Sequence, residues 1–223
     1  PSFDGTCQNV ADPQGVPPCS VQPWATGVRN MYDFLFHSNG LVYGPDNGLG
    51  AVGSIPPSGT TPCFGYGDTR PVGQGGGNPG TQPDLLHLLE EGGYYGHPNP
   101  SREECVFGDG SLQGVPALPN YKQPLFSLGT HRSPNGITEY PFDVGCVPLG
   151  GDLLIANYSV GDNITRIVLS EDGRSVVADE ILVGGFINPI ALVVNPAGTL
   201  FVAELGADRI AALVPRSLGC WLP

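Results

Sequence analysis

The chain has 223 residues with 34 Gly, 24 Pro and 40% apolar side chains, and its 9 Lys and Arg against 21 Asp and Glu leave a formal net charge of −12. That charge disfavours nucleic acid and anionic membranes as partners, since both would repel it. No apolar run is long enough to span a bilayer, and scattered Gly and Pro exclude a collagen-like repeat while predicting many turns and little helix.

Residues 1–23 read as an irregular N-terminal segment carrying two cysteines. The apolar runs at 31–36 and 41–43 flank His37-Ser-Asn-Gly40, which predicts a hairpin with Asn-Gly supplying the positive φ of a primed turn. Residues 51–80 form a long Gly- and Pro-rich loop, and Gly73-Gln-Gly-Gly-Gly77 is no phosphate loop because no Lys-Ser/Thr follows it. In the C-terminal third, short runs at Leu153–Tyr158, Ile164–Leu169, Ser175–Val177, Ile190–Val194, Leu200–Ala203 and Ile210–Val214 alternate with turn clusters. This pattern predicts an antiparallel meander.

A repeat runs through these elements. Gly27-Val-Arg-Asn30 precedes Gly40-Leu-Val-Tyr as Gly185-Phe-Ile-Asn188 precedes Gly198-Thr-Leu-Phe. Gly129-Thr-His-Arg-Ser-Pro-Asn-Gly136, followed by Gly151-Asp-Leu-Leu-Ile, is a looser third copy. Repetition of one four-stranded unit predicts an all-β chain, a β-propeller.

Cys7, Cys19, Cys63, Cys105, Cys146 and Cys220 contain no Cys-x-x-Cys pair, which favours disulfides in an oxidising compartment over a zinc site. Six cysteines allow fifteen pairings. Asn157-Tyr-Ser and Asn163-Ile-Thr are glycosylation sequons. Together these features predict a secreted or extracellular-surface protein. The chain opens at Pro1 without Met or a signal peptide, so a mature or cut product is expected.

Gly27-Val-Arg-Asn30, Asp46-Asn-Gly48, the run Asp84–Glu90 and Gly92-Gly-Tyr-Tyr-Gly-His-Pro98 follow one another in an order and spacing that resembles the soluble quinoprotein glucose/sorbosone dehydrogenases. That group also contains fungal pyranose dehydrogenase domains and non-catalytic hedgehog-interacting proteins. The resemblance covers about residues 24–214 and implies about three four-stranded blades, the C-terminal half of a six-bladed propeller, with long disulfide-pinned loops. Blade-like units would fall near 24–50 with 81–98, 128–177 and 178–214, followed by a tail at 215–223. It also implies that the Leu-rich run at 84–91 is a strand, although propensity suggests a helix. Glycines at 92–96 would then bend the chain, with the tyrosines packing the bend.

By the same resemblance, Arg29 and Asn30 contact pyrroloquinoline quinone (PQQ), and the carbonyls of Gly48 and Leu49 ligate the calcium that polarises it. An Arg suits an anionic tricarboxylate, and calcium suits oxygen ligands. Three departures argue against catalysis. The N-terminal His that serves the family as base has no counterpart here, Phe186-Ile-Asn-Pro-Ile190 carries no Arg, and Leu49 replaces the Pro of the calcium loop. His37, His87, His97 and His131 lack metal-type spacing and read as structural or surface residues, while Asp143, Asp152 and Asp162 read as turn residues. No nucleophile elbow or Cys-His signature supports a hydrolase.

Two functions follow. One is a secreted glycoprotein domain or fragment of this propeller family, non-catalytic and used for binding or assembly. Another polypeptide or a second copy would then cover the open propeller edges, and carbohydrate is a further candidate ligand. The other is part of a calcium- and PQQ-dependent sugar oxidoreductase.

Overall fold

The structure, a computed structural model, describes residues 23–50, 81–97, 110, 117–142, 144 and 148–215. They divide into two compact units. The larger holds residues 30–50, 81–89 and those described from 124 onward. The smaller holds 23–29, 90–97, 110 and 117–123. All six cysteines, the loop at 51–80, Asp143 and the C-terminal tail beyond Pro215 lie outside the described residues.

The larger unit is built of three antiparallel sheets. The first runs β1 (Leu35–Phe36), β2 (Val42–Asp46), β3 (Asp84–Leu89) and β4 (Phe126–Gly129) in that order. The second runs β5 (Pro134–Glu139), β6 (Leu153–Asn157), β7 (Asn163–Leu169) and β8 (Val176–Gly184). The third has β9 (Pro189–Val194), β10 (Leu200–Glu204) and β11 (Arg209–Leu213), with β10 in the middle. No α-helix occurs among the described residues, and a single 3-10 turn, Leu205–Ala207, joins β10 to β11. The all-β expectation therefore holds, with β8 and β9 parting the C-terminal meander into two sheets.

Burial explains the sequence pattern of the second sheet. Leu153, Ile155 and Ile167 join Tyr43, Leu86 and Leu128 of the first sheet in one core cluster. The alternate residues Leu154, Ala156 and Ile164 join Leu192, Leu200 and Val202 of the third sheet in another. With both faces covered, β6 is an unbroken apolar run whose residues are all buried. Burial of each Leu or Ile there contributes about 2 kcal/mol. The same logic makes β3 a strand despite its leucines: it lies between β2 and β4, with Leu86 and His87 at most 1% exposed. β8 is longer than its expected Ser175-Val-Val core because it is an exposed edge, where Asp179 and Glu180 can interrupt an apolar pattern.

The sequence repeat corresponds to a repeated turn. His37 N–H donates to Leu41 O (2.9 Å) and Gly40 N–H donates back to His37 O (2.9 Å). Tyr140 with Asp152 (2.9 Å) and Gly151 (2.8 Å), and Asn195 with Thr199 (3.0 Å) and Gly198 (2.9 Å), repeat that pair of bonds. Gly40, Gly151 and Gly198 take φ of 83°, 81° and 80°, which a side chain would strain. At 37–40 only the glycine is left-handed, so the hairpin is a three-residue type of loop instead of the expected primed turn. Asn39 serves it through Oδ1, which accepts Leu41 N–H at 2.9 Å.

The smaller unit accounts for the run from Gly92 to His97. Gly92 and Gly96 take positive φ (71° and 100°). Between them Tyr94 is fully buried, bridges Thr26 and Tyr121, and donates its hydroxyl to Gly96 O at 2.7 Å. Tyr95 Oη accepts Glu90 N–H at 2.7 Å. The glycines turn the chain and the tyrosines fill and hydrogen-bond the bend.

Candidate functional site

The candidate motif residues of the larger unit gather where β2 and β3 meet the loop leading into the second sheet. Asp46 ends β2, and its Oδ1 accepts Asn30 N–H at 2.7 Å. Asn47 holds the same residue from the other side, donating Nδ2–H (2.9 Å) and N–H (3.3 Å) to Asn30 O. Asn47 Nδ2 also donates to Asn135 Oδ1 at 3.1 Å. Asn30 is thereby fixed through its backbone while its residue stays exposed, and none of its side-chain atoms is spent in these bonds.

Asp84 is the centre of a second set of bonds. Its Oδ1 accepts Gly48 N–H (2.8 Å), and its Oδ2 accepts Arg132 N–H (2.7 Å) and Ser133 N–H (3.0 Å). His131 and Ser133 sit at φ of 57° and 50°, a left-handed backbone that turns the two amides toward the carboxylate. Gly48 is required sterically, since a Cβ there would collide with the carbonyl oxygens of Gln82 and Pro83. Leu49 O accepts Gln82 N–H at 2.8 Å. The chemical type of these carbonyl oxygens suits calcium, but Leu49 O already has one partner and the neighbouring carboxylates point at backbone amides. Among the described residues no three His, Cys, Asp or Glu side chains converge as a metal-binding group.

His87 lies on β3 at 1% exposure, with Nε2 3.9 Å from Asp46 Oδ2. Burial pushes its pKa down to about 4, so it is neutral near pH 7. At that depth it cannot meet a substrate in solvent. In the smaller unit, Arg29 is exposed, and His97 is held below the ordinary imidazole range by burial and by the Arg29 charge. His97 donates its backbone N–H to Gly27 O at 2.7 Å.

Two readings are corrected. The sequon residues Asn157 and Asn163 are 0% and 4% exposed. Asn157 Nδ2, the atom a glycan would occupy, donates to Asn163 Oδ1 and Thr165 Oγ1, both at 2.7 Å. Each sequon falls on paired strand residues of β6 and β7, which a triplet motif does not reveal. The protein is therefore expected to show no mass loss at these sites after glycosidase treatment, whereas Asn157→Ala should lower stability by about 1–3 kcal/mol in a urea titration. The aspartates at turns also do more than meet water. Asp152 pairs with Arg166 at 2.6 Å and is only 6% exposed, its pKa raised by burial against the pull of Arg166. Asp162 Oδ1 accepts Asn188 N–H at 3.0 Å.

The roles of Asp84, Asn135 and Asp162 were not read from the sequence. The usable signal was an Asp at or just before a third strand, coupled to a left-handed loop one sheet further on.

No family model and no curated relative matches the chain. Solved structures do. A putative oxidoreductase (glucose dehydrogenase) from Thermus thermophilus is 24% identical, with 85% of this chain and 46% of that one covered and a TM-score of 0.52. The PQQ-bound aldose sugar dehydrogenase of Streptomyces coelicolor is 17% identical, covering 89% and 47%, with a TM-score of 0.53. The calcium structure of a Trichoderma reesei carbohydrate-active enzyme of family AA12 is 14% identical, covering 88% and 56%, with a TM-score of 0.56. The chain thus has the β-propeller fold of the glucose and aldose sugar dehydrogenases and spans about half of their length.

Proposed function

We propose that this chain is the binding and assembly portion of a larger propeller and does not by itself carry the chemistry of sugar oxidation. In this reading the three sheets are three blades of a six-bladed ring within residues 24–214, and another polypeptide segment covers its open end. The observation that carries it is the state of the ionisable groups around Asn30. Asp46 and Asp84 are buried and accept backbone N–H groups, and His87 is buried and neutral. None of these is placed to take a proton from a substrate in solvent. Asn30, by contrast, is an exposed residue on a fixed backbone, an arrangement suited to contacting a ligand at little entropic cost.

A second reading is favoured by what two similar structures hold. One is PQQ-bound and one is a calcium structure, so this portion would contribute Arg29, Asn30 and the carbonyls of Gly48 and Leu49 to such a site in a sugar oxidoreductase. The quinone would supply the redox chemistry, and a base would come from another part of the assembly. Secretion and disulfide pinning of the loops belong to this proposal as well, and rest on the six cysteines.

Titration of the purified chain with PQQ in calcium, followed by quinone absorbance and then by sugar with a redox dye, separates the readings. The binding-portion reading expects no sugar-dependent dye reduction by this chain alone. Saturable quinone binding that weakens at least tenfold in Asn30→Ala, without loss of the circular dichroism spectrum, would favour the oxidoreductase reading. Dye reduction by the isolated chain would refute the first.

A further inference from the structure

We infer that the exposed face of the third sheet docks a further β-sheet of the same fold, carried by a polypeptide segment of different sequence. This rests on the reading of the chain as a portion of a larger propeller.

The face itself is apolar. The register puts Val193, Phe201 and Ala212 in one cross-strand row and Ala191, Ala203 and Ile210 in the next. Val193 and Ile210 are 58% and 71% exposed. The alternate residues Leu192, Leu200 and Val202 are already buried against the second sheet. A sheet apolar on both faces is built to be covered on both, as the second sheet is.

The boundaries already present show what the cover must offer. On one side, a carboxylate at the start of a third strand takes backbone N–H groups from the loop leading into the next sheet. Asp84 takes those of Arg132 and Ser133, and Asp162 takes that of Asn188. Asp208 holds the same place before β11, with φ of 50° against 43° at Asp162. Its carboxylate makes no hydrogen bond or ion pair among the described residues. On the other side, the first residue of each repeated turn donates to the turn glycine of the next sheet. His37 Nε2–H reaches Gly151 O (2.9 Å), and Tyr140 Oη–H reaches Gly198 O (3.0 Å). Asn195 is third in that series, and its Oδ1 is used within its own turn by Ala197 and Thr199 N–H. Its amide N–H groups are left for the next glycine carbonyl.

A second copy of this chain does not meet the need. The lead-in amides of its sheets are spent on Asp46, Asp84 and Asp162. The carbonyls of Gly151 and Gly198 are spent as well, and the side of the first sheet bearing Val42, His87 and Leu89 is already buried. The matching sheet must bring its own free lead-in amides and turn glycine.

The test places a photoreactive benzoylphenylalanine at position 201, expressed in the source cell within the natural gene, followed by mapping of the crosslinked peptide. The expected product joins position 201 to a β-strand peptide absent from residues 1–223, next to a Gly-containing lead-in loop. Its yield should fall more than tenfold in Val193→Asp and several-fold in Asp208→Asn, with the melting temperature of the isolated chain unchanged in both. A crosslink to residues of a second copy overturns the inference, as does an uncrosslinked residue 201 that is labelled by solvent-borne carbene in native material. If native material contains further sheets of this fold but residue 201 crosslinks elsewhere, this inference fails alone. If it contains none, the portion reading fails with it.

Discussion

Between pH 6.5 and about 4 the larger unit is expected to lose roughly 3 kcal/mol of stability through one residue, His87. Burial lowers its folded pKa to about 4, against an ordinary value of 6.5. The unfolded chain therefore takes up a proton first as pH falls. Stability from this group is complete above pH 6.5, is lost on the way down, and changes no further once both states are protonated. At its steepest the slope approaches about 1.4 kcal/mol per pH unit. The Asp46 carboxylate at 3.9 Å could in principle hold an imidazolium, but it already accepts Asn30 N–H, and burial is what decides the direction. His97 shifts in the same sense, so the useful quantity is a difference. Urea titrations at several pH values should show a slope that is smaller in His87→Leu than in the parent chain, since Leu fills the site without titrating. An unchanged slope in that variant would remove His87 as the cause.

Much of this fold was legible because its signals are local. Turn clusters at Glu171–Arg174, Asn195–Gly198 and Leu205–Asp208 separate the C-terminal strands, and the Gly40, Gly151 and Gly198 repeat marks the same turn three times. The Gly-Tyr-Tyr-Gly run announced a bend because only Gly tolerates its φ values. What escaped was non-local. β5 has a Pro-Asn-Gly start that reads as a turn, and becomes a strand only because β6 pairs with it. The sequons look like surface features until pairing of β6 with β7 buries both asparagines. At the site, the sequence marked Asn30 and Gly48 but not what fixes them. Asp84 is 48 and 49 residues from the Arg132 and Ser133 amides it accepts, and no periodicity connects them.

That separation is why Asp84→Ala is expected to have the largest effect of any single substitution considered. The carboxylate is 3% exposed and accepts three backbone N–H groups, from Gly48, Arg132 and Ser133. Alanine would strand these donors and leave a small void, and the loss should reach about 3–5 kcal/mol, enough to unfold a marginal domain. Two of the donors belong to the loop leading into the second sheet, so the damage is to the joint between sheets and not to either sheet alone. Asp84→Asn separates charge from geometry. Its amide keeps one acceptor oxygen but turns the other position into a donor facing an N–H, so it should recover only part of the loss. Hydrogen exchange would read the difference directly: in Asp84→Ala the Arg132 and Ser133 amides should exchange faster by a larger factor than amides of β7. If they exchange no faster than in the parent chain, the carboxylate is not what holds the left-handed loop, and the strain at His131 and Ser133 must be held by the strand pairing that follows it.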